Sequence, residues 1–211
     1  MNDTISTQPA GTQILSLRER KKRLVQSTIE ETALRLFQQQ GYEHTSIQDI
    51  AEAVLMSTRT FFRYFASKEE VLFGPMHTAL NESIRSIEHV DPAESPQKAL
   101  RETFVHLARL YQAQRESFLV RYRVAVQTPS IASVYIFALL EREPAIGEAL
   151  CTRLEAATKR EELRALVAFY MTAFRLALEV WLEHEALEDL VSLLHENLDY
   201  FSSLPNPTWK Q

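Results

Sequence analysis

Residues 45–70 read TSIQDIAEAVLMSTRTFFRYFASKEE, and three helix starts are written into them in quick succession. Thr45 or Ser46 stands where a cap belongs, and Thr45 has Gln48 three places on. That spacing lets cap and side chain satisfy each other's backbone N–H groups. Ile47, Ile50 and Ala51 then form the inner side of a helix through Ala53. After the turn Val54-Leu55-Met56, Ser57 caps a second short helix, TRTFFRYF. Ser67 with Glu70 opens a third and longer one through Leu72, Met76, Leu80 and Ile84. Two short helices joined by a three-residue turn make a helix-turn-helix, whose second helix enters the DNA major groove. With Ser57 at its start, the first turn of that helix is Thr58, Arg59 and Thr60. Arg59 can donate two hydrogen bonds to guanine O6 and N7. Thr45, Arg63, Tyr64 and Lys68 are expected at phosphates. Phe61 and Phe65 are expected to face inward, while Phe62 reads equally as a contact to a thymine methyl or as core.

Upstream, Val25, Ile29, Ala33, Leu36 and Phe37 recur at helical spacing, predicting a helix over 17–40 that Gly41 ends. It begins in RERKKR, residues 18–23, with five positive charges and one negative. Beside a helix-turn-helix such a run is expected to meet phosphates. Downstream, Ser95-Pro96 and Thr128-Pro129 are caps followed by a proline suited to a first helical turn. Helices are expected at 96–114, 117–127, 129–157 with a break at Pro144, 160–185 and 187–202, with Thr158 and Glu161 boxing the fourth. The fold expected is all-α: a tail over 1–17, a three-helix DNA-binding unit over 18–66, a larger helical bundle over 67–204, and a tail over 205–211.

Composition agrees. Only 4 of 211 residues are glycine, too few for a hairpin-rich fold and unable to spell either common phosphate-binding loop. Residues 1–70 carry nine basic and nine acidic side chains, so the net charge of −5 belongs to the remainder and does not exclude DNA. The single cysteine, Cys151, forms no internal disulfide and fits a reducing compartment. The apolar stretch from Ala165 to Phe174 lies between Arg164 and Arg175 and is too short to span a bilayer. Met1 to Leu17 has no basic start with an apolar centre, so no signal peptide is expected, and the protein is expected to be cytoplasmic. His184-Glu185 with Glu188 breaks the zinc-protease pattern at its last ligand. No metal set or cofactor loop is expected.

The stretch IEETALRLFQQQGYEHTSIQDIAEAVLMSTRTFFRYFASKEEVL, residues 29–72, resembles the DNA-binding domain of the TetR family of transcriptional repressors. The order A-x-x-L-F, G-Y-x-x-T-S, I-A-x-A and S-x-x-T-F-F-R-Y-F-x-S-K-E carries the likeness. The resemblance implies a homodimer that binds double-stranded DNA at a near-palindromic operator. It also implies an inner pocket for a small-molecule inducer, amphipathic or aromatic. It puts Thr45, Tyr64 and Lys68 at phosphates, and Thr58, Arg59, Thr60 and Phe62 in the groove. One departure is Leu55, where the family often has glycine. A left-handed leucine costs about 1 kcal/mol or more, so a differently shaped turn is expected.

Within the larger domain, Phe104, Tyr122, Tyr170 and Phe174 are the aromatic candidates for a pocket lining. Arg121 and Arg175, set among apolar neighbours, read either as ion-paired or as receptors for a ligand's acidic group. Leu187, Leu190, Val191, Leu194 and Leu198 make one apolar stripe, joined by Trp181 from the preceding helix, and are expected at a dimer seam. The competing class is an all-α ligand carrier or enzyme without DNA binding. Substrate turnover with indifference to DNA would select it.

Overall fold

The computed structural model describes residues 16–131, 141–154 and 159–203. Most of the expected N-terminal tail, residues 205–211, the middle of the expected 129–157 helix and Thr158 lie outside those residues. Among the described residues every regular element is helical. They are α1 (Leu17–Gln40), α2 (Ile47–Ala53), α3 (Thr58–Phe61), α4 (Lys68–Ser86), a single 3₁₀ turn (Ile87–His89), α5 (Pro96–Ala113), α6 (Arg115–Val126), α7 (Glu143–Arg153), α8 (Arg160–Glu183) and α9 (Leu190–Ser203).

Local chemistry sets most starts. Ser16 and Glu19 close a capping box on α1, Ser67 accepts the Glu70 N–H on α4, and Ser95 caps α5 ahead of Pro96. Some boundaries differ from expectation. The break expected at Pro144 falls at the start of α7: Pro144 sits in its first turn, where its missing N–H costs nothing. The last helix begins at Leu190 because Glu185 and Ala186 both adopt positive φ, 58° and 52°, and turn the chain between α8 and α9. Trp181 fixes that turn by donating its indole N–H to the Glu188 carbonyl at 3.0 Å.

α1 buries Ile29, Ala33, Leu34 and Phe37 on one side. α4 contacts α1, α5, α6 and α7, and so links the N-terminal unit to the bundle. α8 is the spine of the bundle and packs against α5, α7 and α9. Taken whole, α8 is long and apolar enough to cross a membrane by composition, which the shorter stretch 165–174 did not suggest. Half of that apolar window is buried inside the protein, the position of a core helix.

Candidate DNA-binding surface and regulatory site

The helix-turn-helix is held by its caps. Ser46, not Thr45, caps α2, and its partner is Asp49. The Ser46 N–H and hydroxyl both donate to Asp49, at 2.8 and 2.7 Å. These bonds hold the Asp49 carboxyl below its ordinary range. Leu55 in the turn has φ 56°. The turn therefore keeps the left-handed geometry that glycine favours, contrary to expectation. The leucine is 96% exposed, so its side chain adds no packing demand to the backbone strain. Leu55→Gly is expected to raise stability by up to about 1 kcal/mol, read as a higher urea midpoint at unchanged slope.

Ser57 then caps α3, accepting the Thr60 N–H at 3.1 Å, and its hydroxyl lies 2.9 Å from that of Thr60. α3 is shorter than the expected TRTFFRYF. Beyond Phe61 it tightens into a turn, with Arg63 and Tyr64 N–H groups bonding carbonyls three residues back at 3.1 and 2.8 Å. Phe61 and Phe65 are buried as expected. Ser57, Thr58, Arg59, Phe62 and Arg63 are exposed, and Thr60 and Tyr64 are half-buried. Phe62 is thus surface and not core, with 55% of it accessible. Beside it, Arg18, Lys21, Lys22, Arg63 and Tyr64 line one cleft of about 890 Å³ between the start of α1 and the end of the recognition turn. Glu19 lies in the same cleft, its carboxylate occupied by the Ser16 cap. The basic run and the recognition helix therefore share a face.

Two expected phosphate contacts are placed differently. Thr45 is buried, its hydroxyl donating to the Gly41 carbonyl at 2.8 Å and accepting from Gln40 at 3.2 Å. It closes the corner after α1 and has no face toward solvent. Lys68 donates to the Tyr42 and Thr45 carbonyls at 2.9 and 2.8 Å, with its ammonium 4.2 Å from the Tyr42 ring centroid. Only one of its three N–H groups is left over. The Tyr42 hydroxyl donates to Glu69 at 2.6 Å. Burial, then that bond, pushes the phenol far above its ordinary range. Sequence reasoning missed this Tyr42–Lys68–Glu69 knot. The only signal for it was the aromatic residue directly after Gly41.

The comparisons with known proteins agree with this geometry. Residues 29–73 match the family described as bacterial regulatory proteins, tetR family, and residues 94–204, more than half of the chain, match the MftR C-terminal domain. The chain is 34% identical over 174 residues to the HTH-type transcriptional regulator TcmR of Streptomyces glaucescens, covering 78% of this chain and 76% of that one.

The chain belongs to the tetR family of bacterial regulatory proteins.

A putative mycofactocin biosynthesis transcriptional regulator, MftR of Mycobacterium tuberculosis, is 27% identical over 160 residues, covering 75% of this chain and 80% of that one. Among solved structures, Thermus thermophilus FadR in complex with lauroyl-CoA superposes with TM-score 0.56 at 22% identity, over 88% of this chain and 98% of its own. That likeness concerns the fold. This TetR-family chain is accordingly a transcriptional regulator with a helix-turn-helix DNA-binding domain.

In its larger part, the six expected ligand residues do not converge. Phe104, Tyr170 and Phe174 meet in one buried cluster, with Phe104 centroids 6.0 and 5.8 Å from the other two. Tyr170 donates to the Gln97 carbonyl at 2.9 Å. These rings fill space against one another. Tyr122 is partly buried on α6. Its phenol is raised first by burial and then by the charges of Glu183 and Glu179. Arg175 pairs with Glu179 at 2.6 Å, one turn along α8. Arg121 points the other way, to Glu30 on α1 at 2.6 Å, with only 4% of its side chain accessible.

The expected dimer seam also divides. Trp181, Leu190, Leu194 and Leu198 are each at most 1% exposed within a single chain. They form the internal seam between α8 and α9 and are not surface. Leu187 lies in the turn and is 76% exposed, and Val191 is half-buried.

Proposed function

We propose that this tetR-family regulator is a homodimeric repressor released by a small-molecule inducer. Residues 18–66 would bind DNA, and residues 67–204 would dimerise and sense the ligand. The observation that carries the reading is α3. Its outward residues Thr58 and Arg59, with Phe62 just beyond its end, are free to enter a groove, while Phe61 and Phe65 lock it inward and a basic cleft flanks it. Protein two-fold symmetry then asks for a near-palindromic operator.

Dimerisation is supported by the exposed side of α8. Half of its apolar window is not fully buried; Ala165 and Val180 are exposed there and Phe169 and Leu176 half-buried, with Leu187 and Val191 beyond the turn. A two-fold pairing would cover this surface with itself. An inducer acts by binding a conformer whose two recognition helices no longer match successive grooves, weakening DNA binding by about 1–3 kcal/mol. α4, in contact with both parts, is the lever. Acting on the chromosome places the protein in the cytoplasm.

The test is fluorescence anisotropy on DNA flanking the protein's own gene, against random DNA, at several salt concentrations. Tight, salt-dependent binding to that fragment alone supports the reading. Equal weak binding to both DNAs counts against it. On the operator, Arg59→Ala is expected to cost about 1–3 kcal/mol and to relax preference at one base pair. Equal loss on random DNA would make Arg59 a phosphate contact instead.

A further inference from the structure

The aromatic centre of the bundle is filled, but a hollow of about 300 Å³ opens between α7 and α8. Pro144, Gly147 and Cys151 line it from one face of α7, with Glu148 beside them, and Arg160, Leu163 and Arg164 line it from α8. Its volume is at the lower end of the range for small-molecule sites, about 300–1,000 Å³.

Gly147 is the telling residue. It sits inside α7, where glycine costs about 1 kcal/mol relative to alanine. Its φ is not positive, and a Cβ built on it would meet nothing within 4 Å. Neither backbone conformation nor neighbouring atoms require glycine there. The missing side chain instead leaves the floor of the hollow open. Across from it, Arg160 and Arg164 are one turn apart, exposed, and without an ion pair or hydrogen-bond partner among the described residues. Glu148 is the opposing charge, so the lining carries a net positive charge of one. Arg164 also borders a second, smaller hollow of about 240 Å³, where Glu143 and Glu161 leave a net negative charge of one, so an oxyanion is favoured only in the first hollow.

We infer that the hollow between α7 and α8 binds an amphipathic anion. Its apolar body lies on Gly147, Pro144 and Leu163, and its oxyanion head is held by Arg160 and Arg164. Planar guanidinium forks suit carboxylate, sulfonate and phosphate oxygens alike. The inference needs no DNA measurement and is independent of the repressor reading.

The probe is anilinonaphthalene sulfonate, an aromatic sulfonate that fluoresces when removed from water. The full chain is expected to bind it, and Arg160→Gln with Arg164→Gln to weaken binding about tenfold. Gly147→Leu fills the floor and is expected to abolish binding. Gly147→Ala is the folding control, expected to bind and to unfold at a higher temperature. Cys151, the single thiol and an exposed one, reports location: bound probe is expected to slow its alkylation by iodoacetamide severalfold. Four results would each overturn the site: no binding, binding unchanged in the double arginine variant, binding unchanged in Gly147→Leu, or binding that leaves Cys151 alkylation untouched.

Discussion

Replacing Arg121 with methionine is expected to destabilise the protein by about 3 kcal/mol, the low end of the cost of breaking a buried ion pair. The guanidinium is 4% accessible and the Glu30 side chain 26%, so the variant strands a mostly buried carboxylate that water reaches on one side. Burial is the largest influence on both partners. It pushes the Glu30 carboxyl up and the Arg121 guanidinium down, and their mutual attraction only partly opposes it. The Arg121 Nε and Nη1 groups are also buried without a partner among the described residues, and an unsatisfied buried donor costs about 1–3 kcal/mol. A pair this poorly satisfied adds little net stability. Arg121→Met combined with Glu30→Leu should therefore recover most or all of the loss seen in Arg121→Met alone. Urea midpoints of the three proteins decide it. A double variant as unstable as the single would show that packing of the arginine stem, not its charge, holds α6 against α1.

That pair also marks where sequence reading ends. Arg121 shares a buried stripe on α6 with Phe118, Val124 and Ala125, and the spacing was available to predict burial. Its partner lies 91 residues earlier in the chain, beyond any local pattern. The helix-turn-helix was legible for the opposite reason. Its caps, turn and inward phenylalanines all lie within a few residues of one another, and their chemistry is complete at that range. Even there, adjacent Thr45 and Ser46 both suited a cap. Packing of the corner chose Ser46 by drawing Thr45 inside. For Phe104, Tyr170 and Phe174, periodicity says inside but does not separate a pocket wall from filled core. Leu190, Leu194 and Leu198 make an apolar stripe by spacing alone, and the turn at Glu185 and Ala186 decides which surface that stripe meets.

The neighbouring phenylalanines of the recognition turn are expected to fail in opposite ways. Phe61 is fully buried, with Phe65 and Phe62 rings at 5.9 and 5.7 Å. Phe61→Ala removes a large side chain from a small three-helix core, at an expected cost of about 3–5 kcal/mol. α3 has four residues and cannot persist without that anchor. DNA binding should vanish, while near-native helical signal remains from α5, α8 and α9, which pack on one another. Phe62 has 55% of its surface exposed and loses only an edge contact with Phe61 on truncation. Phe62→Ala should leave stability within about 0.5 kcal/mol and weaken operator binding by about 1 kcal/mol, the scale of one lost base contact. Chemical denaturation followed by circular dichroism, with anisotropy on the same preparations, separates the two. Equal destabilisation by both variants would mean that Phe62 supports the fold, and the groove-facing surface would then reduce to Thr58 and Arg59.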